Sequence, residues 1–222
     1  MVHGVLASPI GMAFIDPDDI WGGFYQKSGD KKADILNCGR KVFKSKGFKD
    51  TNVTDITKMA GIATGTFYIY YPSKDKLFME IFLAENVKLK KNIIESVNLK
   101  GEPADVMKEM MLKNQKGMNS NPILREWYNR DIFSKIEQNY RMENGLEHVD
   151  FLYESFIKIV KKWQIEGKIR NDIDAEMIMA IFIALINIDT HKEEVGIQYF
   201  PQILEYLVEF TMKGLMDNSK KE

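Results

Sequence analysis

Residues 64–74, TGTFYIYYPSK, gather polar groups able to meet a charged partner: the hydroxyls of Thr64, Thr66, Tyr68 and Tyr70, and the ammonium of Lys74 just beyond Pro72. Hydroxyls donate to phosphate oxygens and an ammonium adds a point charge, whereas neither carries sequence information by itself. The local charge agrees with a polyanionic partner. Between Lys27 and Lys76 eleven Lys/Arg stand against five Asp/Glu, a local charge of +6 in a chain whose net charge is −1. A basic segment on an acidic body marks this one part for a polyanion.

Other chemistries find no support in the residues. The 222-residue chain has no Gly-rich phosphate loop and no G-x-S-x-G nucleophile motif. His3, His148 and His191 lack ligand spacing, and Cys38 is the sole cysteine, so neither a metal site nor an intrachain disulfide is expected. No catalytic residue and no cofactor is assigned, and the chain is read as a non-enzyme. A single cysteine suits a reducing, cytoplasmic setting. The longest uninterrupted apolar run, Met177 to Ile186, is ten residues, about half of what a bilayer span needs. The N-terminal stretch has no basic start and is a poor signal peptide.

The elements that must position the phosphate-binding groups are helices. Residues 1–30 show no period and are read as a loose arm. From Lys31 the apolar positions Ile35, Val42 and Phe43 predict a first helix over 31–46, with Gly47 as its stop. Asn52, with Asp55 three residues on, is placed to start a second short helix, whose apolar face is Ile56, Met59 and Ala60. Gly61-Ile62-Ala63 is a tight turn, and a third helix over 64–70 ends before Pro72. Ser73 caps a fourth helix running to Gly101. Further helices are expected at 103–117, 122–139, 146–166, 175–191 and 199–216, and no stretch alternates as a strand would. The fold class is all-α. Two short helices joined by a glycine turn, with a first helix packed on both, form a helix-turn-helix. In it Phe67 and Tyr71 face inward, while Thr64, Thr66, Tyr68, Ile69 and Tyr70 remain available to a partner.

The run NVTDITKMAGIATGTFYIYYPSKDKLF, residues 52–78, resembles the DNA-binding signature of the tetracycline-repressor (TetR/AcrR) family of bacterial transcription regulators. The resemblance implies a helix-turn-helix DNA-binding domain at 31–76, followed at 77–222 by a larger helical domain for ligand binding and dimerisation. It assigns Thr66, Tyr70 and Lys74 to phosphates, and Thr64, Gly65, Tyr68, Ile69 and, on the second helix, Thr54 to base edges in the major groove. Three positions depart from the pattern: Ala63 where a capping serine is common, Thr57 in place of alanine, and Ile69 in place of a polar or imidazole group.

The resemblance also implies the partners: a double-stranded, near-palindromic DNA operator, a second copy of the chain, and a small apolar or amphipathic effector whose binding releases a repressor from DNA. A membrane is not among them. The helix at 175–191, apolar nearly all round, and the stripe on 199–216 give independent support for a homodimer. Met110, Trp127, Tyr128, Tyr153 and Phe182 are candidates to line an apolar cavity, as are Phe133, Tyr140, Phe151 and Trp163. Asn187, Asp189 and His191 add polar candidates. The alternative function keeps the fold and the DNA binding but replaces the small ligand with a protein partner.

Overall fold

A computed structural model describes residues 28–129, 132, 150–188, 192–200 and 202–217. The arm expected at 1–30 lies outside the described residues up to position 27, as do Phe133, Tyr140, Asp189 and His191.

The first three helices form because their apolar residues share one side. Helix α1 (Ser28–Lys46) turns Ile35, Val42 and Phe43 inward, α2 (Val53–Ala60) Ile56, and α3 (Thr64–Tyr70) Phe67. Tyr71, directly after α3, is buried with them, and burial pushes its phenol pKa up. Phe43, Phe48 and Phe78 close this core, Phe78 meeting both other rings edge-on at 5.0 and 4.8 Å. Gly61, with φ of 66°, ends α2 in the left-handed conformation, and the Ile62 N–H returns to the Thr57 carbonyl at 3.0 Å. Met59 departs from expectation. It is exposed, because Thr57 takes the inward position beside Ile56 and satisfies its buried hydroxyl on the Thr54 carbonyl.

Helix α4 (Lys74–Ser96) begins at Ser73, whose hydroxyl accepts the Lys76 N–H at 3.2 Å. It packs tightly on α1: a Cβ at Gly39 would stand 2.8 Å from Leu77 Cδ2. The helix stops at Ser96 rather than continuing to Gly101. Lys113 from α5 (Pro103–Ser120) caps its end, donating to the Ser96 carbonyl and hydroxyl at 3.0 and 2.9 Å, while Val97 turns into the core in extended conformation.

The segment expected as one helix over 122–139 is broken. A single turn, α6 (Pro122–Arg125), passes into a 3-10 turn at Glu126–Tyr128, and Asn129 is extended. The Glu126 carboxylate accounts for the break, because it accepts N–H groups from Phe48 and from the Asn129 side chain at 2.9 and 3.2 Å. Three longer helices complete the described chain: α7 (Asp150–Ile165), α8 (Ala175–Asn187), and α10 (Gln202–Met216), with the single turn α9 (Lys192–Val195) before the last. The second core draws Ile93 from the far end of α4, Met107 from α5, Trp163 from α7, Phe182 from α8 and Met212 from α10. Helix α4 thus belongs to both cores, giving Leu77, Phe78, Ile81 and Phe82 to the first. The described residues include helices and no strands, and none of those helices is long and apolar enough to cross a membrane.

Candidate functional site

The α2–α3 unit carries most of the expected site residues on its exposed surface. Thr54 on α2 and Thr64, Gly65, Tyr68 and Ile69 on α3 are exposed, and nothing stands within 4 Å of where a Gly65 side chain would begin. Ile69 shows 78% of its surface and Tyr68 54%, large values for apolar and aromatic side chains with a core directly beneath them. Thr66 is half-buried, and Tyr70, also half-buried, leans on the first core. Phe67 beneath them is fully buried and Tyr68 is exposed, as the spacing predicts, whereas Tyr70, expected on the open face, is packed partly against the core.

Lys74 sits differently from the other candidates. Its ammonium donates to the carbonyls of Phe48 and Thr51, both at 2.8 Å, and lies 4.4 Å from the centre of the Phe48 ring. These are the carbonyls of the loop between α1 and α2. Thr51, fully buried, closes the same loop through its hydroxyl to the Gly47 carbonyl at 2.6 Å. Asp55 fixes the next turn: its carboxylate accepts the Asn52 N–H at 3.1 Å and pairs with Lys46 at 3.0 Å, and these two contacts, the backbone bond first, hold its pKa below the usual carboxylate range.

On the other side of α4 lies a cavity of about 360 Å³, whose walls come from α4, α5, α7, α8 and the 3-10 turn at Glu126–Tyr128. Within α4 the lining residues Phe82, Asn86, Lys90, Ile93 and Ile94 recur every three or four positions, so one face of the helix forms a wall. The wall is mostly apolar. Lys90 interrupts it: its ammonium hydrogen-bonds the Asn114 side-chain carbonyl, and burial pushes its pKa down to about 8. Met110, Trp127, Tyr128, Tyr153 and Phe182 line the cavity, as their composition suggests, whereas Trp163 is packed in the second core.

Residues 35–81 match the sequence model for bacterial regulatory proteins of the tetR family. The matched segment runs from the core residue Ile35 through the helix-turn-helix to Ile81 on α4. Over that segment the chain is similar to the bacterial regulatory proteins of the tetR family.

Over greater length the chain also has a sequence relative and fold neighbours. The chain is 23% identical over 195 residues to YdgC, an uncharacterized HTH-type transcriptional regulator of Bacillus subtilis (strain 168), with 86% of each chain covered. Among solved structures it is similar in fold to RolR in complex with resorcinol, at a TM-score of 0.63 and 13% identity over 86% of this chain and 89% of that one. FadR from Bacillus subtilis in complex with stearoyl-CoA is similar at a TM-score of 0.56 and 16% identity, over 83% of this chain and 97% of that one.

Two contacts tie the cavity wall to the helix-turn-helix unit. The first is α4 itself, which lines the cavity from Phe82 onward and holds the α1–α2 loop through Lys74. The second is the 3-10 turn: Trp127 stacks on Phe82 at 5.9 Å and lines the cavity, and its neighbour Glu126 accepts the Phe48 N–H of the same loop. Thr51, Glu126, Lys90 and Asn114 were not among the sequence candidates. Lys90 alone carried a signal, because a lysine spaced four from Asn86 and eight from Phe82 falls on the apolar face of α4.

Proposed function

We propose that the chain is a ligand-responsive transcriptional regulator, a repressor that binds a near-palindromic operator as a homodimer and leaves it when a small molecule fills the cavity. The observation that carries this is the exposed Tyr68–Ile69 face on a short helix whose other side is anchored by Phe67. Tyr68 and Ile69 stand exposed on the same short helix as the exposed Thr64 and Gly65, a set whose chemistry suits base edges. In the reading proposed here Thr66 and Tyr70 contact phosphates, while Thr54, Thr64, Gly65, Tyr68 and Ile69 meet base edges. Lys74 stands at the rim with its N–H groups on the loop and its charge toward the phosphates.

The described cavity favours a small-molecule signal over control by a protein partner, since a volume of about 360 Å³ falls in the range typical of ligand sites. A ligand there acts on α4 and on the Glu126 turn, both of which hold the α1–α2 loop. Filling the cavity would tilt α4 and alter the separation of two recognition helices in a dimer, so DNA and ligand affinities oppose each other by about 1–3 kcal/mol. Exposed apolar residues on the last helices, among them Met177 and Ile183 on α8 and Tyr206 and Phe210 on α10, support the dimer.

A mobility-shift titration on the DNA immediately upstream of the chain's own gene tests the reading. The expected result is a retarded complex competed by the same unlabelled fragment and not by an equal mass of unrelated DNA. Absence of a retarded complex would contradict DNA regulation. A ligand that fills the cavity tightly and leaves the complex unchanged would contradict the switch.

A further inference from the structure

The cavity contains a charge that its own walls do not answer. Lys90 projects from α4 into a lining of Phe82, Met107, Met110, Ile159 and Phe182, and its hydrogen-bond partner is the neutral amide of Asn114 on α5. Among the described residues that line the cavity there is no Asp or Glu, and Lys90 is the one charged group. An ammonium taken from water into such surroundings loses hydration, and a neutral amide returns only part of it. The depressed pKa, about 8, is the electrostatic record of that loss, with burial as its cause. A lysine serving only to join α4 to α5 could do so from the solvent side, as Lys113 does at Ser96.

We propose that the cavity takes a monocarboxylate amphiphile, with its carboxylate on Lys90 and Asn114 and its apolar body against the methionines and phenylalanines. This rests on the ligand-responsive reading above and specifies its effector. The Lys90 ammonium would donate to one carboxylate oxygen and the side-chain N–H of Asn114, which also lines the cavity, to the other, replacing lost water by a charge-assisted pair. Size sets the class further. A cavity of about 360 Å³ lies toward the lower end of the range typical of ligand sites, which suits a medium-chain fatty acid or an aryl-alkyl acid. The flexible methionines, which adapt to irregular shapes, suit an unbranched tail.

The test is calorimetric titration of the full chain with sodium decanoate and, as the uncharged counterpart with the same tail, 1-decanol. At pH 7 decanoate is expected to bind at least tenfold more tightly than decanol, and Lys90→Met is expected to abolish that preference while leaving decanol binding within about twofold. The wild-type protein supplies an independent arm. As pH rises above about 8 the free ammonium deprotonates, so decanoate affinity falls by up to tenfold per unit while decanol affinity stays level. The other titratable side chains on the described wall are Tyr128 and Tyr153, and Tyr128→Phe and Tyr153→Phe are expected to preserve the pH profile. Equal affinity for the two ligands, a preference retained by Lys90→Met, a flat pH profile, or no binding of either ligand would each overturn the proposal. Operator release is read separately by mobility shift. Decanol that binds better than decanoate and releases DNA removes the carboxylate site and leaves the ligand-responsive reading standing; an absence of any DNA complex removes the reading itself.

Discussion

Lys74 shows how one side chain can serve a surface without lying open on it. Its two bonds to the Phe48 and Thr51 carbonyls and its seat over the Phe48 ring hold the loop that joins α1 to α2. Charge-assisted hydrogen bonds of this kind contribute about 1.5–3 kcal/mol each. Lys74→Met is therefore expected to lower the unfolding free energy by about 2–3 kcal/mol, measured by urea denaturation, and to weaken DNA binding along with it. A change below about 0.5 kcal/mol would show that the loop does not depend on it. From sequence, Lys74 reads as a phosphate contact because a resemblance transfers the position and not the hydrogen bonds. Lys90 was missed for the opposite reason: in the stretch KLKKN it looks like part of a solvated charge run, and only the register of Phe82, Asn86 and Ile93 reveals that it points inward. Thr51 and Glu126 had no local signal at all, since their partners lie elsewhere in the fold.

At the scale of elements, the short-range signals carried well. The boundaries of α3 follow from the Gly61-Ile62-Ala63 turn and Pro72, and the start of α4 from Ser73; at the start of α8 the Asp174 carboxylate accepts the Met177 N–H at 2.6 Å. Where the elements depart from expectation, a distant side chain decided. Lys113 ends α4 early, and Glu126 breaks the helix after Arg125 because it is engaged with the α1–α2 loop. Helix α10 presents a different problem, a face that its own chain leaves uncovered. Leu204, Val208, Met212 and Leu215 are buried on one side, whereas Tyr206 and Phe210 stack on each other at 6.0 Å on an exposed side. If that exposed side meets a second copy, Phe210→Glu places two charges in an apolar contact. The expected result by sedimentation velocity is a monomer that retains its helical circular dichroism. A dimer unchanged in that variant would move the interface away from this face.

At the scale of the whole molecule, α4 is the member shared by the two cores, and the described cavity lies along the face that it presents to α5, α7 and α8. In the proposed function this arrangement carries a signal from an apolar cavity to a surface that holds none of the cavity's residues. In the same reading the exposed face of α3 sets what is read on DNA. A generic basic surface would bind any duplex through phosphates, with affinity governed by salt, whereas an exposed Tyr68–Ile69 face can discriminate among base pairs. The most direct measurement is the ratio of affinities for the upstream fragment and for a scrambled duplex of the same length, by fluorescence anisotropy at fixed salt. A Tyr68→Ala/Ile69→Ala variant is expected to bind the upstream fragment about tenfold or more weakly, in line with about 1–3 kcal/mol for a base-reading contact, and to bind the scrambled duplex as the wild type does. An unchanged ratio in that variant would contradict the assignment of this face to sequence reading.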